Sequence, residues 1–184
     1  MQHPTCRRRS SVKRTLYMSP LPIRRFPDSL LKRTTHHVTQ MDAASHRLIE
    51  AMIRAMRHHP RCVGLAAPQV GSDRRIAVMD ASRHPNAMAS RGLLILVNPQ
   101  IDVLEEFTVQ REGCLSVPDF TANVRRARRV HLIAQDQTGA AFDCWLEGFE
   151  AIVAQHEVDH LDGKLFLDRV VNLKTDVFRR KTYL

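Results

Sequence analysis

The sequence predicts an α+β fold in which mainly antiparallel strands pack around a helix near the carboxyl end. Two segments carry apolar residues at helical spacing, and short apolar runs typical of strands lie between them. The chain has 184 residues, of which 43% are hydrophobic, and this suits one globular domain with a buried core. No apolar run reaches the roughly 18 residues of a membrane-spanning helix, and the apolar fraction excludes a wholly disordered chain.

The amino-terminal half predicts an arm, a helix and two strands. The segment LPIRRFPDSLLKR, from residue 21, favours an extended arm followed by one helical turn. Asp42 is a suitable cap for the first long helix, which Pro60 ends. Apolar runs at 76–79 and 93–97 predict strands, and we expect Asn98-Pro99 to end the second.

The carboxyl-terminal half predicts a hairpin and a second helix. Runs at 130–135 and 142–146 flank the turn signal Asp-Gln-Thr-Gly and are typical of an antiparallel hairpin. The second long helix is expected to start near Gly148 and to stop at Gly163.

The basic charge of the chain lies mainly at its beginning. The net charge is +9, and residues 1–33 carry +8 of it. Residues 1–17 contain five basic residues and no acid, which is compatible with an organelle transit peptide, a nucleic-acid-binding arm, or an upstream extension before a true start at Met18. We favour the extension, with residues 18–184 as a single catalytic domain.

The motif HEVDH is the strongest chemical signal in the chain. His156 and His160 are four residues apart on a helix, so both project from one face and are able to hold one metal ion. Catalytic metal sites usually take three protein ligands, so a third must come from elsewhere. Two aspartates follow the motif, but Cys114, in the stretch EGCLS, is the better candidate.

Three stretches together resemble the signature motifs of the peptide deformylase family. They are VGLAAPQ at 63–69, EGCLS at 112–116 and QHEVDH at 155–160, in the order found in that family. The resemblance implies an α+β hydrolase that removes the formyl group from the initiator formylmethionine of new polypeptides and releases formate. Its expected partners are formylmethionyl nascent peptides, with a transient ribosome contact possible and no membrane or specific nucleic acid. The implied location is the bacterial cytoplasm, or an organelle if residues 1–17 are a transit peptide.

The resemblance assigns the metal and its ligands. It implies that Cys114, His156 and His160 bind one divalent ion, with ferrous iron as the native metal. A mixed sulfur and nitrogen site also suits zinc, nickel or cobalt. A divalent ion lowers the pKa of its bound water from about 15.7 to around 7, so hydroxide is available to attack the formyl carbon.

The resemblance also assigns the residues around the reacting group. It implies that Glu157 is the general acid and base, and that the Gln69 amide and the Leu115 N–H hold the oxyanion. Taken alone, Gln69 would be an ordinary loop residue, and its place after GLAAP carries the assignment.

The substrate-binding residues are expected in two places. Val63 and Gly64 would pair with the peptide as an added strand. Phe149, Ile152 and Val153 would line a pocket for the methionine side chain, although ordinary core packing is the simpler interpretation of such residues.

Two positions depart from the family pattern. Cys62 stands where the family usually has a glycine, and Thr121 stands where some members carry an arginine that meets the substrate. The sequence therefore does not predict the shape of the active-site rim at Cys62 or the contacts to the peptide at Thr121.

Other clusters have simpler interpretations. The histidine pairs at 36–37 and 58–59 are expected to be solvated. The arginines at 125, 126, 128 and 129 predict a solvated strand face, with RNA contact as the alternative.

Two other functions compete with deformylation. One is a general HExxH metallopeptidase that cleaves internal peptide bonds. The other is a basic RNA- or ribosome-binding protein with a degenerate metal site, which the intact set of catalytic residue types argues against.

Overall fold

The computed structural model describes residues 21–180, apart from residues 83, 88 and 89. The basic segment 1–17 and the expected start at Met18 therefore lie outside the described residues. Among the residues that are described, no helix combines the length and the apolar character needed to span a lipid bilayer.

Six strands form one antiparallel sheet. The strands β1 to β5 lie side by side in chain order, and β6 pairs with the first part of β4. Their bounds are β1 Gly64–Ala66, β2 Ile76–Asp80, β3 Leu93–Cys114, β4 Val117–Gln135, β5 Ala141–Glu147 and β6 Val177–Arg179. The α+β prediction with mainly antiparallel strands is confirmed.

Two long helices cover opposite faces of the sheet at β2. Helix α1 spans Ala43–His58 and begins as predicted, because the Asp42 side chain accepts a hydrogen bond from the Ser45 N–H at 2.7 Å. The α1 face packs on Ile76 and Val78. Helix α2 spans Gly148–Leu161 and packs on the alternate residues of β2. Since both faces of β2 are buried, its sequence is a continuous apolar run.

Helix α2 is surrounded by the rest of the fold. Nearly all of its residues from Glu150 to Leu161 are buried, and His156 alone in that stretch is only partly buried. Gly163 follows it with a φ of +71°, a backbone conformation that glycine adopts without a steric penalty. The structure therefore carries the HEVDH motif on a rigid central element. A short third helix, α3, spans Leu173–Asp176.

The prediction that Asn98-Pro99 ends a strand is wrong. The chain continues as β3 to Cys114, because Asn98 takes a positive φ of 54° and the register with β4 shifts between Val97 and Gln100. Such a bulge accommodates a proline without ending the strand. The Asn98 amide donates to the backbone oxygen of Val38 and to the Gln135 side chain, so the bulge is fixed on both sides.

The segment before α1 is an extended arm with one turn of 3-10 helix at Ser29–Lys32, as predicted. The Arg24 N–H donates to the backbone oxygen of Gln69 at 2.7 Å, and the Phe26 N–H donates to that of Ser116 at 2.9 Å. The arm is therefore hydrogen-bonded to Gln69 and Ser116, which belong to two of the three sequence motifs.

Candidate active site

The fold brings the three sequence motifs together. Gln69 lies in a turn of 3-10 helix, Ala67–Val70, which directly follows β1. Cys114 ends β3, and two residues separate it from the start of β4. His156 and His160 lie on α2, which packs against β1 and β4. Residues from three distant parts of the chain thus share one site.

The three expected metal ligands lie close enough to bind one ion. One ligand atom from each of Cys114, His156 and His160 falls within 4.8 Å of the other two. The Cys114 sulfur is 3.2 Å from His160 Nε2. Burial alone would raise the pKa of the Cys114 thiol, but the two histidines lower it well below its usual value. This donor set, with a thiolate and two imidazoles, is suited to a transition-metal ion.

Glu112 orients the first histidine. Its Oε2 lies 2.8 Å from His156 Nδ1, and a carboxylate in this position accepts the Nδ1 proton. The Nε2 atom of His156 is then left as the ligand atom. Burial alone would raise the pKa of Glu112, but hydrogen bonds from His156 and Arg126 lower it to about 2. Glu112 therefore stays ionised in its role.

Arg126 joins Glu112 to helix α2. Its guanidinium donates to both Glu112 oxygens, at 2.7 and 3.0 Å, and to Asp159 at 2.6 Å. Arg169 donates to the other side of Asp159. The prediction of a solvated face is wrong for Arg126, which is only 3% exposed. The signal that identifies it is the period-2 alternation of β4, which places Arg126 on the same face as buried Ala122 and Val124.

The Gln69 side chain is held in one orientation. Its Oε1 accepts from the Ala66 N–H at 2.9 Å. Its Nε2 therefore points the other way and donates to the Cys114 sulfur at 3.3 Å and to the Ser116 hydroxyl at 3.2 Å. A buried amide donor is thus directed at the metal-ligand cluster.

Glu157 is buried beside the ligands and against β1. It is 3% exposed, and burial raises its pKa to about 7. A Cβ atom added at Gly64 would overlap Glu157 Oε1, so any other residue there would displace this carboxylate. Its Oε2 has no hydrogen-bond partner among the residues described. This unpaired oxygen is available to a water molecule or a reacting group.

A cleft of about 490 Å³ leads to this cluster. The expected substrate residues all contribute to its lining, namely Val63, Gly64, Phe149, Ile152 and Val153, and so does the expected oxyanion donor Leu115. Ile152 and Val153 are also largely buried, and Val153 belongs to the core between α2 and the sheet. These residues therefore contribute both to the core and to the lining of the cleft.

The two departures from the family pattern lie in the same cleft. Cys62 is half-buried at its rim, and burial raises the pKa of the thiol to about 12. Its sulfur donates to the Gly64 backbone oxygen at 3.1 Å. Thr121 accepts a hydrogen bond from Arg111 at 3.3 Å.

The His36–His37 pair lies outside this cleft and is exposed, as expected for solvated residues.

Comparison with known proteins identifies one family. The family model described as polypeptide deformylase matches residues 20–176. A peptide deformylase of Thermodesulfovibrio yellowstonii is 37% identical over 164 residues, which are 89% of this chain and 97% of that protein. One from Teredinibacter turnerae is 41% identical over 165 residues, with coverage of 89% and 95%.

Solved structures agree with the sequence comparison. A peptide deformylase from Legionella pneumophila has a TM-score of 0.75 and 37% identity, over 83% of this chain and 86% of that one. A deformylase from Acinetobacter baumannii, solved with Met-Ala-Ser bound, has a TM-score of 0.75 and 32% identity, over 82% and 98%. These relatives favour deformylation over the two competing functions considered for the sequence.

Proposed function

This chain belongs to the polypeptide deformylase family, and from that membership we propose which of its residues perform the family's reaction. The protein is a metal-dependent hydrolase that removes the N-formyl group from newly made polypeptides. The observation that carries the assignment of roles is the convergence of Cys114, His156 and His160 beside the buried carboxylate of Glu157.

Cys114, His156 and His160 would hold one divalent ion. The lowered pKa of Cys114 favours the thiolate form that metals bind, and Glu112 leaves His156 Nε2 available. When bound, the ion supplies Lewis-acid activation of water and of the formyl carbonyl at neutral pH. We take ferrous iron as the native metal from the family resemblance, and zinc, nickel or cobalt also suit these ligands.

Glu157 is proposed to move the proton during hydrolysis. A water oxygen forms a bond to the formyl carbon, and the unpaired Glu157 carboxylate accepts the proton that the water loses. As the C–N bond breaks, Glu157 delivers that proton to the departing amine, so that formate and a free amino terminus result. A pKa of about 7 suits both proton transfers.

Gln69 and Leu115 are proposed to stabilise the oxygen that becomes negative in the transition state. The Gln69 amide is directed at the ligand cluster by its bond to the Ala66 N–H, so no reorientation is needed when charge develops. Leu115 lies next to Cys114 in the turn between β3 and β4, and its N–H is the second donor in this proposal.

The remaining cleft residues are proposed to bind the substrate. Phe149, Ile152 and Val153 offer an apolar lining for the methionine side chain. Val63 and Gly64, at the start of β1, offer their backbone as a pairing edge. The Acinetobacter relative that was solved with Met-Ala-Ser bound supports a peptide that begins with methionine as the occupant.

We expect Glu157→Gln to lower kcat for formate release from a formylmethionyl peptide by about 10²- to 10⁴-fold, because the proton carrier is lost. Metal-loaded protein should be assayed, with the metal content of each variant measured. The matched control is Glu150→Gln on the same helix, since Glu150 is buried but bonds to Ser90 and Arg91 rather than to the cluster. Wild-type turnover by Glu157→Gln would contradict the assigned role.

The wider setting of the enzyme is also part of the proposal. We place it in a bacterial cytoplasm, where it would meet nascent formylmethionyl peptides in transient contact with the ribosome, because the relatives reported above are bacterial. Residues 1–17 are proposed as a basic extension upstream of the catalytic domain at 18–184, and the family match from residue 20 supports this division. If they are instead a transit peptide, the location is an organelle.

A further inference from the structure

The carboxyl-terminal strand brings an arginine to the active-site cleft. Strand β6 pairs with Phe120–Ala122 of β4, and the Arg180 N–H that follows it donates to the backbone oxygen of Asp119 at 2.7 Å. The Arg180 backbone is therefore fixed at the edge of the cleft, and its side chain contributes to the lining.

The Arg180 guanidinium lies beside the metal-ligand segment. It covers the bare backbone of Gly113, because a Cβ added there would overlap Arg180 Nη2 and would lie 3.3 Å from the Thr121 methyl group. Gly113 is the residue immediately before the metal ligand Cys114. The Arg180 guanidinium therefore lies on the cleft wall next to the segment that carries the metal ligand.

A second arginine strengthens the positive charge here. The Arg111 guanidinium lies 3.4 Å from the centre of the Phe178 ring and donates to the Thr121 hydroxyl. Strand β6 thus contributes the aromatic ring that contacts Arg111, and Arg180 follows it directly.

Neither arginine has an acidic partner among the described residues 21–180. Among the residues that the structure describes, no carboxylate forms an ion pair with Arg111 or Arg180, and both are exposed. The acids that line the cleft are Glu112 and Glu157, which are buried at its floor. Glu112 is already paired with Arg126. The mouth of the cleft on this side is therefore cationic.

We propose that Arg180, supported by Arg111, is a specificity residue that binds acidic side chains in the residues that follow formylmethionine. This inference rests on the proposed function of the cleft. A guanidinium forms paired hydrogen bonds with a carboxylate, which explains why two arginines favour this partner over a neutral side chain. Because both arginines are exposed, the gain is modest and decreases with salt.

The test compares formylmethionyl tripeptide amides that differ only in charge. Formyl-Met-Ala-Asp-amide is paired with formyl-Met-Ala-Asn-amide, and formyl-Met-Asp-Ala-amide with formyl-Met-Asn-Ala-amide. For at least one pair, we expect kcat/KM to favour Asp by about two- to fivefold at low salt, mainly through KM. Arg180→Gln should abolish the preference, and Arg180→Lys should retain part of it.

The matched control is Arg179→Gln. Arg179 is exposed on the same strand and does not line the cleft, so the preference should persist in this variant. An equal preference in Arg180→Gln and the unaltered protein, or no preference for Asp at either position, would overturn the inference. Formate release from the Asn peptides tests the proposed function separately. If the unaltered protein releases no formate from them, the proposed deformylase reaction is wrong, whatever the charge preference.

Discussion

At the residue scale, Gly64 shows how closely the catalytic carboxylate fits against β1. The Glu157 Oε1 atom occupies the space that any other side chain at position 64 would need. We expect Gly64→Ala to lower kcat/KM for formate release by roughly 100-fold, because the displaced carboxylate no longer reaches the water proton. Activity assays on metal-loaded protein, together with thermal unfolding, check this expectation.

Gly92→Ala is the control for the glycine substitution. No atom lies within 4 Å of a Cβ added at Gly92, although its φ of +77° is strained for alanine. This variant should lose about 1 kcal/mol of stability and keep its activity. Full activity of Gly64→Ala would contradict the expectation that catalysis requires the Glu157 carboxylate in the position it occupies against Gly64.

Sequence motifs are most informative at the residue scale where they carry the chemistry. Two of the motifs contain Cys114, His156 and His160, and the structure brings these residues together. Glu112 stands in the same EGCLS stretch, yet its bond to His156 depends on how β3 packs against α2, which the sequence does not show. The bonds of Arg126 to Glu112 and Asp159 depend on tertiary packing in the same way.

At the element scale, the long β3–β4 hairpin is the main feature absent from the sequence prediction. Asn98-Pro99 is a local stop signal, but a bulge and the pairing with β4 override it. Both strands then continue to the turn that holds Leu115. The two long helices were predicted well because their caps and stops, Asp42 and Gly163, act locally.

His131 links three strands of the sheet in a pH-dependent way. Its ring nitrogens lie 3.0 Å from Asp143 on β5 and 2.9 Å from Asp102 on β3. The hydrogen bonds to Asp143 and Asp102 raise the pKa of His131. This contribution to stability is therefore complete below the unfolded pKa of about 6.5 and is lost as the pH rises through the folded value.

We expect an NMR titration of the folded protein to give His131 a pKa above about 6.5. Asp143→Asn should lower that pKa, because the first acceptor loses its charge. Urea unfolding at pH 6 and at pH 8.5, roughly the range over which histidine titrates, gives the free energy of unfolding at each pH. The decrease between the two should be larger for the unaltered protein than for His131→Gln. A folded pKa at or below the unfolded one would contradict this expectation.

At the scale of the whole molecule, the buried ion network around Arg126 joins parts that lie far apart in sequence. It connects β3 through Glu112, α2 through Asp159 and the segment after α2 through Arg169. Removing one member leaves buried charges without a partner, which is costly in a low-dielectric interior. The network therefore supports both the fold and the orientation of His156.

We expect Arg126→Met to lower the free energy of unfolding by about 3–5 kcal/mol, because Glu112 and Asp159 lose their shared cation. The control is Arg128→Met, two residues along the same strand and exposed, which should change stability by no more than about 0.5 kcal/mol. Urea or thermal unfolding of the metal-loaded proteins measures both. Equal stabilities of the two variants would contradict the importance of the network.

The arm before α1 has a consequence for the order in which the enzyme becomes active during its synthesis. Arg24 and Phe26 leave the ribosome early, but the Gln69 and Ser116 oxygens that they bind are made much later. His160 follows later still, near the end of the chain. A growing copy therefore has no complete site until the segment that carries His160 has also been made.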